Sequence, residues 1–257
     1  MPALNTDPAR FDTLGYCLFR NVLAAEEVAE TRRMLSAALA QRLPQPYEAL
    51  KPHEALIDRP EYVGEPHARD GHWLDLCRHP CLLDAVESIL GPNLILVYSS
   101  LFIKLPDSPV EVCWHQDNPY WPSVHGTDVI TMWLAIDDAD AGNCAMKVIP
   151  GSHRGHREMD TVPAGDNQML NAKVAVSAQA EAKAVTLAMP AGSLSIHDSY
   201  IVHGSDANHS GRRRAGYTIR YCSTDTAWVD TGAHPIPVYL VRGKEGRRNR
   251  GYVDRRP

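Results

Sequence analysis

Leu94-Ile95-Leu96-Val97-Tyr98-Ser99-Ser100-Leu101-Phe102-Ile103-Lys104 is the stretch on which the fold turns. Rich in β-branched and aromatic residues, it runs between Gly91-Pro92-Asn93 and Pro106 and reads as a strand. Residues 128–136, 146–149, 183–189, 193–197 and 215–223 share its texture: short, β-branched or alternating, and bounded by Gly, Pro, Asn or Asp. No helical period separates them, which argues against parallel βαβ units. Successive strands without helices predict an antiparallel barrel or a double-sheet jelly roll, mainly β with flanking helices.

Upstream, the chain reads as helical. Asp7 is placed to cap a short helix through Leu14, followed by a strand at Tyr16-Cys17-Leu18-Phe19. Residues 24–43 form the clearest helix: Val28, Thr31, Leu35, Ala38 and Leu39 recur at helical spacing, and Pro44 and Pro46 stop it. A further helix spans Pro80–Leu90, ended by Gly91-Pro92. Residues 154–182 have weak periodicity and read as a long loop with some helix, a common form for a functional lid. The expected organisation is one domain over 1–257: a helical part at 1–92, a jelly-roll core at about 93–225 and a C-terminal tail.

Composition removes several classes of function. With 44% hydrophobic and 22% charged residues, the 257-residue chain is ordinary for a soluble globular protein. Its net charge of -5 gives no nucleic-acid footprint. The basic clusters are Arg212-Arg213-Arg214 and a C-terminal group (Arg247, Arg248, Arg250, Arg255, Arg256) read as a solvated tail. Apolar runs are strand-sized, far short of the ~20 residues of a membrane span. Met1 to Arg10 has no apolar signal core, so a cytoplasmic location without membrane contact is expected. Cysteines 17, 77, 81, 113, 144 and 222 are scattered and read as free thiols.

The chemistry concentrates in Trp114-His115-Gln116-Asp117-Asn118-Pro119-Tyr120-Trp121-Pro122. In an extended chain residues i and i+2 share a side, so His115 and Asp117 can address one metal. His203 lies downstream in Tyr200-Ile201-Val202-His203-Gly204-Ser205. Two imidazoles and one carboxylate leave open positions suited to Fe(II), whereas a structural zinc needs four protein ligands. Arg214 follows His203 by eleven residues. A guanidinium stays charged when buried and meets a carboxylate with two parallel hydrogen bonds, which suits the distal end of 2-oxoglutarate. Arg212 and Arg213 read as solvent-facing charges.

With Gly142-Asn143-Cys144, Val148-Ile149-Pro150-Gly151-Ser152-His153, and Asn208 after His203-Gly204-Ser205, these pieces run in order over about half the chain. Together they resemble the phytanoyl-CoA dioxygenase family of 2-oxoglutarate oxygenases. The resemblance implies a double-stranded β-helix, Fe(II) on His115, Asp117 and His203, and 2-oxoglutarate on Arg214, with Trp133 and Ser205 lining its pocket. It implies O2 as the other co-substrate. The expected reaction is hydroxylation of an aliphatic C–H of a small molecule with release of succinate and CO2. Desaturation or another oxidative outcome, and a non-catalytic or other metal-dependent cupin-like protein, are the alternatives. A carboxylate at Asp117, where halogenases of the family have a small residue, favours hydroxylation.

Strand parity extends the set. Ser205 should face with His203 and Thr131 with Trp133, while Ser100, Phe102 and Lys104 share one face of the preceding strand. Thr131 and Phe102 therefore join the cofactor-binding set. Trp133 has two readings, core packing and cofactor lining, and Lys104 can equally reach the surface. Asn118, Tyr120 and Trp121 either line the substrate mouth or pack. Arg220, in parity with Arg214, either meets a substrate anion or pairs with an internal carboxylate, the second being the simpler reading. His153, Arg154, His156 and Arg157 read as a solvated loop.

Overall fold

The computed structural model describes residues 3–4, 7–40, 61–230, 237–246 and 251–257. Asp7 caps the first turn by accepting from the Ala9 amide; the 3-10 turn Pro8–Arg10 leads into a short helix, Phe11–Leu14. Gly15, at φ 78°, ends that helix. The long helix Ala25–Ala40 buries Val28, Thr31 and Leu35. Its expected end at Leu43, with Pro44 and Pro46, lies outside the described residues. The helix Pro80–Leu90 has the expected bounds. The helices Pro66–Arg69 and Gly71–Cys77 were not foreseen, because two turns or fewer leave too little periodicity to read.

Two sheets make the jelly roll. The larger runs in the order Ala3–Leu4, Tyr16–Arg20, Leu194–Asp198, Val129–Ala135, Arg214–Ser223, Leu94–Lys104, Tyr239–Arg242, Val253–Asp254, with Tyr62–Gly64 also on Leu94–Lys104. The smaller runs Val185–Thr186, Lys147–Val148, His203–Ser205, Val112–His115. Every pairing in these two sheets is antiparallel except that of Tyr239–Arg242 with Val253–Asp254. The strands Val112–His115 and His203–Ser205, taken in the sequence only as extended segments around the histidines, are short and carry polar residues and glycine, which weaken the strand signal.

Alternation sorts the larger sheet. On Arg214–Ser223, Ala215, Tyr217, Ile219 and Tyr221 join Trp73, Leu82, Leu83 and Val86 of the helices in one apolar cluster. Arg214, Thr218 and Arg220 point the other way, into a cavity. Ile130, Met132, Leu134, Leu194 and Ile196 face the helices, while Thr131, Trp133 and His197 face the cavity. On Leu94–Lys104 the register shifts where Arg220 pairs with Tyr98 but Tyr221 pairs with Leu96. This one-residue bulge reverses parity, so Leu94 and Leu96 share a cluster with Leu101 and Ile103.

Residues 154–182 are more ordered than a loop. The hairpin Thr161–Pro163 with Ala172–Val174 precedes a helical turn, Ala178–Glu181. The segment is fastened to the Val112–His115 edge: the Met169 amide donates to the Glu111 carbonyl at 2.8 Å and Cys113 Sγ to the Ala172 carbonyl at 3.3 Å. His153, expected in solvent, is instead buried beside Gly15, with Nε2 3.2 Å from the Asp12 carbonyl. Among the described residues no helix is long and apolar enough to cross a membrane.

Gly216 shows how tightly the cavity wall is built. A Cβ there would stand 2.1 Å from the Trp133 ring, so only glycine lets the indole lie across the central strand. Gly216→Ala should therefore cost about 1–3 kcal/mol as overpacking. In a Trp133→Leu background that extra cost should largely vanish, as a urea-unfolding double-mutant cycle would measure.

Candidate metal centre

His115 ends one short strand and His203 begins its neighbour, and the two are direct cross-strand partners with ring centroids 4.0 Å apart. Asp117 joins them by a route different from the expected strand parity. The chain has left the strand by then, and Asp117 sits at φ -73°, ψ -39° at the head of the 3-10 turn Asn118–Tyr120. That turn brings Oδ1 to 3.6 Å from His115 Nε2 and 3.7 Å from His203 Nε2. The three donor atoms lie within 4.8 Å of one another, and all three residues are buried. Donors sharing one ion at about 2.1 Å would stand roughly 3 Å apart, a small contraction from here.

Gln116 anchors the turn. Its amide nitrogen donates to the carbonyls of Tyr200 at 2.7 Å and Arg157 at 3.1 Å, and its oxygen accepts from the Met159 amide at 2.8 Å. Each ligand histidine is oriented by backbone. His115 Nδ1–H donates to the Cys113 carbonyl at 2.8 Å and His203 Nδ1–H to the Ile201 carbonyl at 3.0 Å. A carbonyl can only accept, so the proton sits on Nδ1 and the Nε2 lone pairs face Asp117. Burial, reinforced by the neighbouring His115, pushes His203 well below the ordinary imidazole range and keeps it in the neutral, metal-binding form. Burial alone would raise the Asp117 carboxyl, but His203, His115, His197 and Arg220 outweigh it and hold it well below the usual range.

Thr131 donates its hydroxyl to Asp117 Oδ2 at 2.5 Å. His197, which sequence reasoning missed, places Nε2 3.5 Å from the same oxygen and its ring 4.5 Å from that of His203. Both its ring nitrogens are buried without a well-formed hydrogen bond. The signal was present: in Ser193-Leu194-Ser195-Ile196-His197 the polar residues alternate with the two aliphatic ones.

Arg214 is 3% exposed, with Nη2 3.3 Å from Ser205 Oγ and the guanidinium 5.4 Å from the Trp133 ring centre. Its Nε has no partner, and among the described residues no carboxylate lies within 4 Å of it. Trp133 packs in a core cluster and also lines the cavity. By contrast, Arg213 pairs with Asp137 at 2.7 Å and Arg212 with Asp140 at 2.8 Å. Lys104 does not reach the surface: it is 1% exposed and donates to the Val110 carbonyl. Burial, and then the nearby Arg214, pull its ammonium down to about 7.

The same cavity, about 440 Å³ including its open mouth, is lined by Phe102, Thr131, Trp133, Ser205 and Arg220 together with the triad. Asn118 turns away from it, donating to the Tyr200 hydroxyl at 2.9 Å. Tyr120 is 39% exposed, its ring 6.2 Å from that of His115 and its hydroxyl donating to the Ala172 carbonyl. Trp121 packs beside Arg220, 5.6 Å from its guanidinium. The carboxylate expected beside Arg220 is not there: none of the described residues places one within 4 Å.

The donor set fits a divalent ion of the Fe(II) type, and the unpaired Arg214 at one end of the cavity fits the far carboxylate of a dicarboxylate. Lys104 gives a pH test of this electrostatics. Its folded value of about 7 lies below the ordinary 10.5, so between them the unfolded chain binds the extra proton. Stability of the metal-free protein should therefore rise with pH through this window, by about 1–2 kcal/mol from pH 7 to pH 8.5. Urea titrations of Lys104→Met should show the rise flattened.

The family model described as phytanoyl-CoA dioxygenase (PhyH) matches residues 11–216. The chain is 30% identical over 227 residues to a protein of Stutzerimonas stutzeri named a probable alpha-ketoglutarate-dependent hypophosphite dioxygenase, covering 83% of this chain and 76% of that one. It is 27% identical over 184 residues to L-proline trans-4-hydroxylase of Streptomyces griseoviridis, covering 65% and 67% of the two chains. Among solved structures, a non-haem monooxygenase, ThoJ in its apo form, superposes with a TM-score of 0.72 at 26% identity, over 98% of this chain and 88% of the other. The chain belongs to the phytanoyl-CoA dioxygenase family and is an Fe(II)- and 2-oxoglutarate-dependent oxygenase.

Proposed function

We propose that the enzyme hydroxylates an aliphatic C–H bond of a small molecule in the cytoplasm, with iron on His115, Asp117 and His203 and 2-oxoglutarate on Arg214. The observation that carries this reading is the meeting, in one cavity, of a three-donor metal set with a buried guanidinium that has no carboxylate of its own. When bound, iron and 2-oxoglutarate supply the oxidising power, with O2 consumed and succinate and CO2 released. Arg214 meets the distal carboxylate, Ser205 adds a hydroxyl beside it, and Trp133 stacks on the guanidinium and walls that end of the cavity.

The remaining residues hold geometry. Thr131 fixes the orientation of Asp117, and the carbonyls of Cys113 and Ile201 fix the two imidazoles. Asp117 fills the third protein position, which supports hydroxylation over transfer of a halide. Phe102 lines the cavity and Trp121 packs on Arg220, whereas Asn118 is held by its hydrogen bond to the Tyr200 hydroxyl.

Substitutions at the three metal donors and at two arginines test the assignment. His115→Ala or His203→Ala leaves a two-donor site and should abolish both stoichiometric iron and turnover. Asp117→Asn keeps the size but weakens the donor, so iron affinity and product should fall together; mass spectrometry of the product should show added oxygen and no chlorine in chloride buffer. Arg214→Ala should raise the 2-oxoglutarate requirement by an amount equivalent to about 2–5 kcal/mol with iron binding little changed. Arg213→Ala, which loses only the pair with Asp137, should leave that requirement near wild type.

A further inference from the structure

Arg220 is a second buried guanidinium in the cavity, 6% exposed, which helps to hold the Asp117 carboxyl low but has no ligand in the assignments above. Its Nη1 donates to Ser100 Oγ and Thr218 Oγ1, both at 2.6 Å. Tyr98, Phe102 and Trp121 surround it, with ring centres 5.5, 5.9 and 5.6 Å from its central carbon. Its Nε is buried without a partner, and no described carboxylate lies within 4 Å. Hydroxyls and ring faces ease the burial of a cation but do not neutralise it.

Its position separates it from the co-substrate. Register places Arg220 beside Thr131, and Thr131 beside His197, in one row across three strands; Thr131 in turn touches Asp117. Arg220 is therefore level with the metal donors, about one strand spacing of roughly 5 Å from the Thr131 row position. Arg214 lies six residues along the same strand, about 20 Å away between Cα atoms at roughly 3.3 Å per residue. A diacid that spans from Arg214 to the metal ends where Arg220 begins.

Charge makes the same point. With metal and co-substrate in place, the two charges of Fe(II) and one each of Arg214 and Arg220 face one on Asp117 and two on 2-oxoglutarate. One positive charge stays uncompensated in a buried cavity even with Lys104 neutral, and a singly charged anion would balance it.

We propose that Arg220 grips the head of the substrate, making this an enzyme for small organic monoanions, carboxylates or phosphonates, whose reacting bond lies within a few atoms of the head. The proposal rests on the hydroxylase reading for which bond reacts, but the anion site belongs to the chain itself.

The test is calorimetric titration under argon with acetate and methylphosphonate, and with acetamide as the neutral counterpart. Each is titrated into metal-free protein and into protein holding Fe(II) and 2-oxoglutarate. Saturable one-site binding of at least one anion to the loaded protein, absent for acetamide, is expected; which anion binds more tightly tells carboxylate from phosphonate. Arg220→Gln should weaken that binding on the order of tenfold or more, and Arg220→Lys should restore part of it. Iron stoichiometry and 2-oxoglutarate affinity should stay near wild type in both variants, with thermal melts confirming that each is folded.

The proposal is overturned if no anion binds the loaded protein, if acetamide binds as well as acetate, or if Arg220→Gln leaves anion binding intact. It is equally overturned if Arg220→Gln instead strips iron or 2-oxoglutarate from a folded protein, for then Arg220 serves Asp117. Failure of the hydroxylase reading looks different: the loaded protein would still bind the anion through Arg220, but the product of a turned-over anionic substrate would carry no added oxygen.

Discussion

The pairing of His115 with His203 across two short antiparallel strands is the contact on which the site depends. It brings together imidazoles 88 positions apart in the chain, and each is aimed by a carbonyl two residues before it. The smaller sheet that carries them is only two to four residues deep. Strands so short are not stable alone. They are held because the 154–182 segment fastens their outer edge, while Gln116 ties the turn after His115 to residues 157–159 and 200. The segment read in sequence as a long loop with some helix is, in the fold, hydrogen-bonded to the strand and turn that carry His115 and Asp117.

The larger sheet has the opposite character. Its central strands are long and buried on both faces, one against helices and the other against the cavity. That rigidity lets it present cations to an interior that would otherwise reject them. Arg214, Lys104 and Arg220 are all nearly inaccessible, and among the described residues Asp117 is the only acidic group lining the cavity. Positive charge thus outweighs negative charge around the cavity of the folded protein. Burial first, and then the nearby Arg214, pull the Lys104 ammonium down before ligands arrive.

Much of this was legible in the sequence. Leu94–Lys104 and Pro80–Leu90 were readable to the residue because they are long and have clear Gly and Pro boundaries. His115, Asp117, His203 and Arg214 were legible as a set because their residue types and order together imply one chemistry. The route by which Asp117 reaches the metal was not, since a turn and a strand can both bring i and i+2 together. The burial of Lys104 and His153 was hidden too, because it depends on what distant segments lay over them. For Arg220 the internal carboxylate that sequence reasoning preferred is replaced by hydroxyls and rings from its own strand, the neighbouring Leu94–Lys104 and a turn. Cross-strand neighbours of that kind follow from register, which a bulge on Leu94–Lys104 alters.

The central claim is that this cavity holds iron and 2-oxoglutarate together, chelated side by side. Anaerobic addition of Fe(II) and then 2-oxoglutarate to the purified protein, followed by visible absorption, tests it most directly. A weak charge-transfer band that saturates at one equivalent of each, absent with Fe(II) alone and absent in His203→Ala, is the predicted result. A wild-type spectrum that stays featureless, with iron bound but untouched by 2-oxoglutarate, would contradict it.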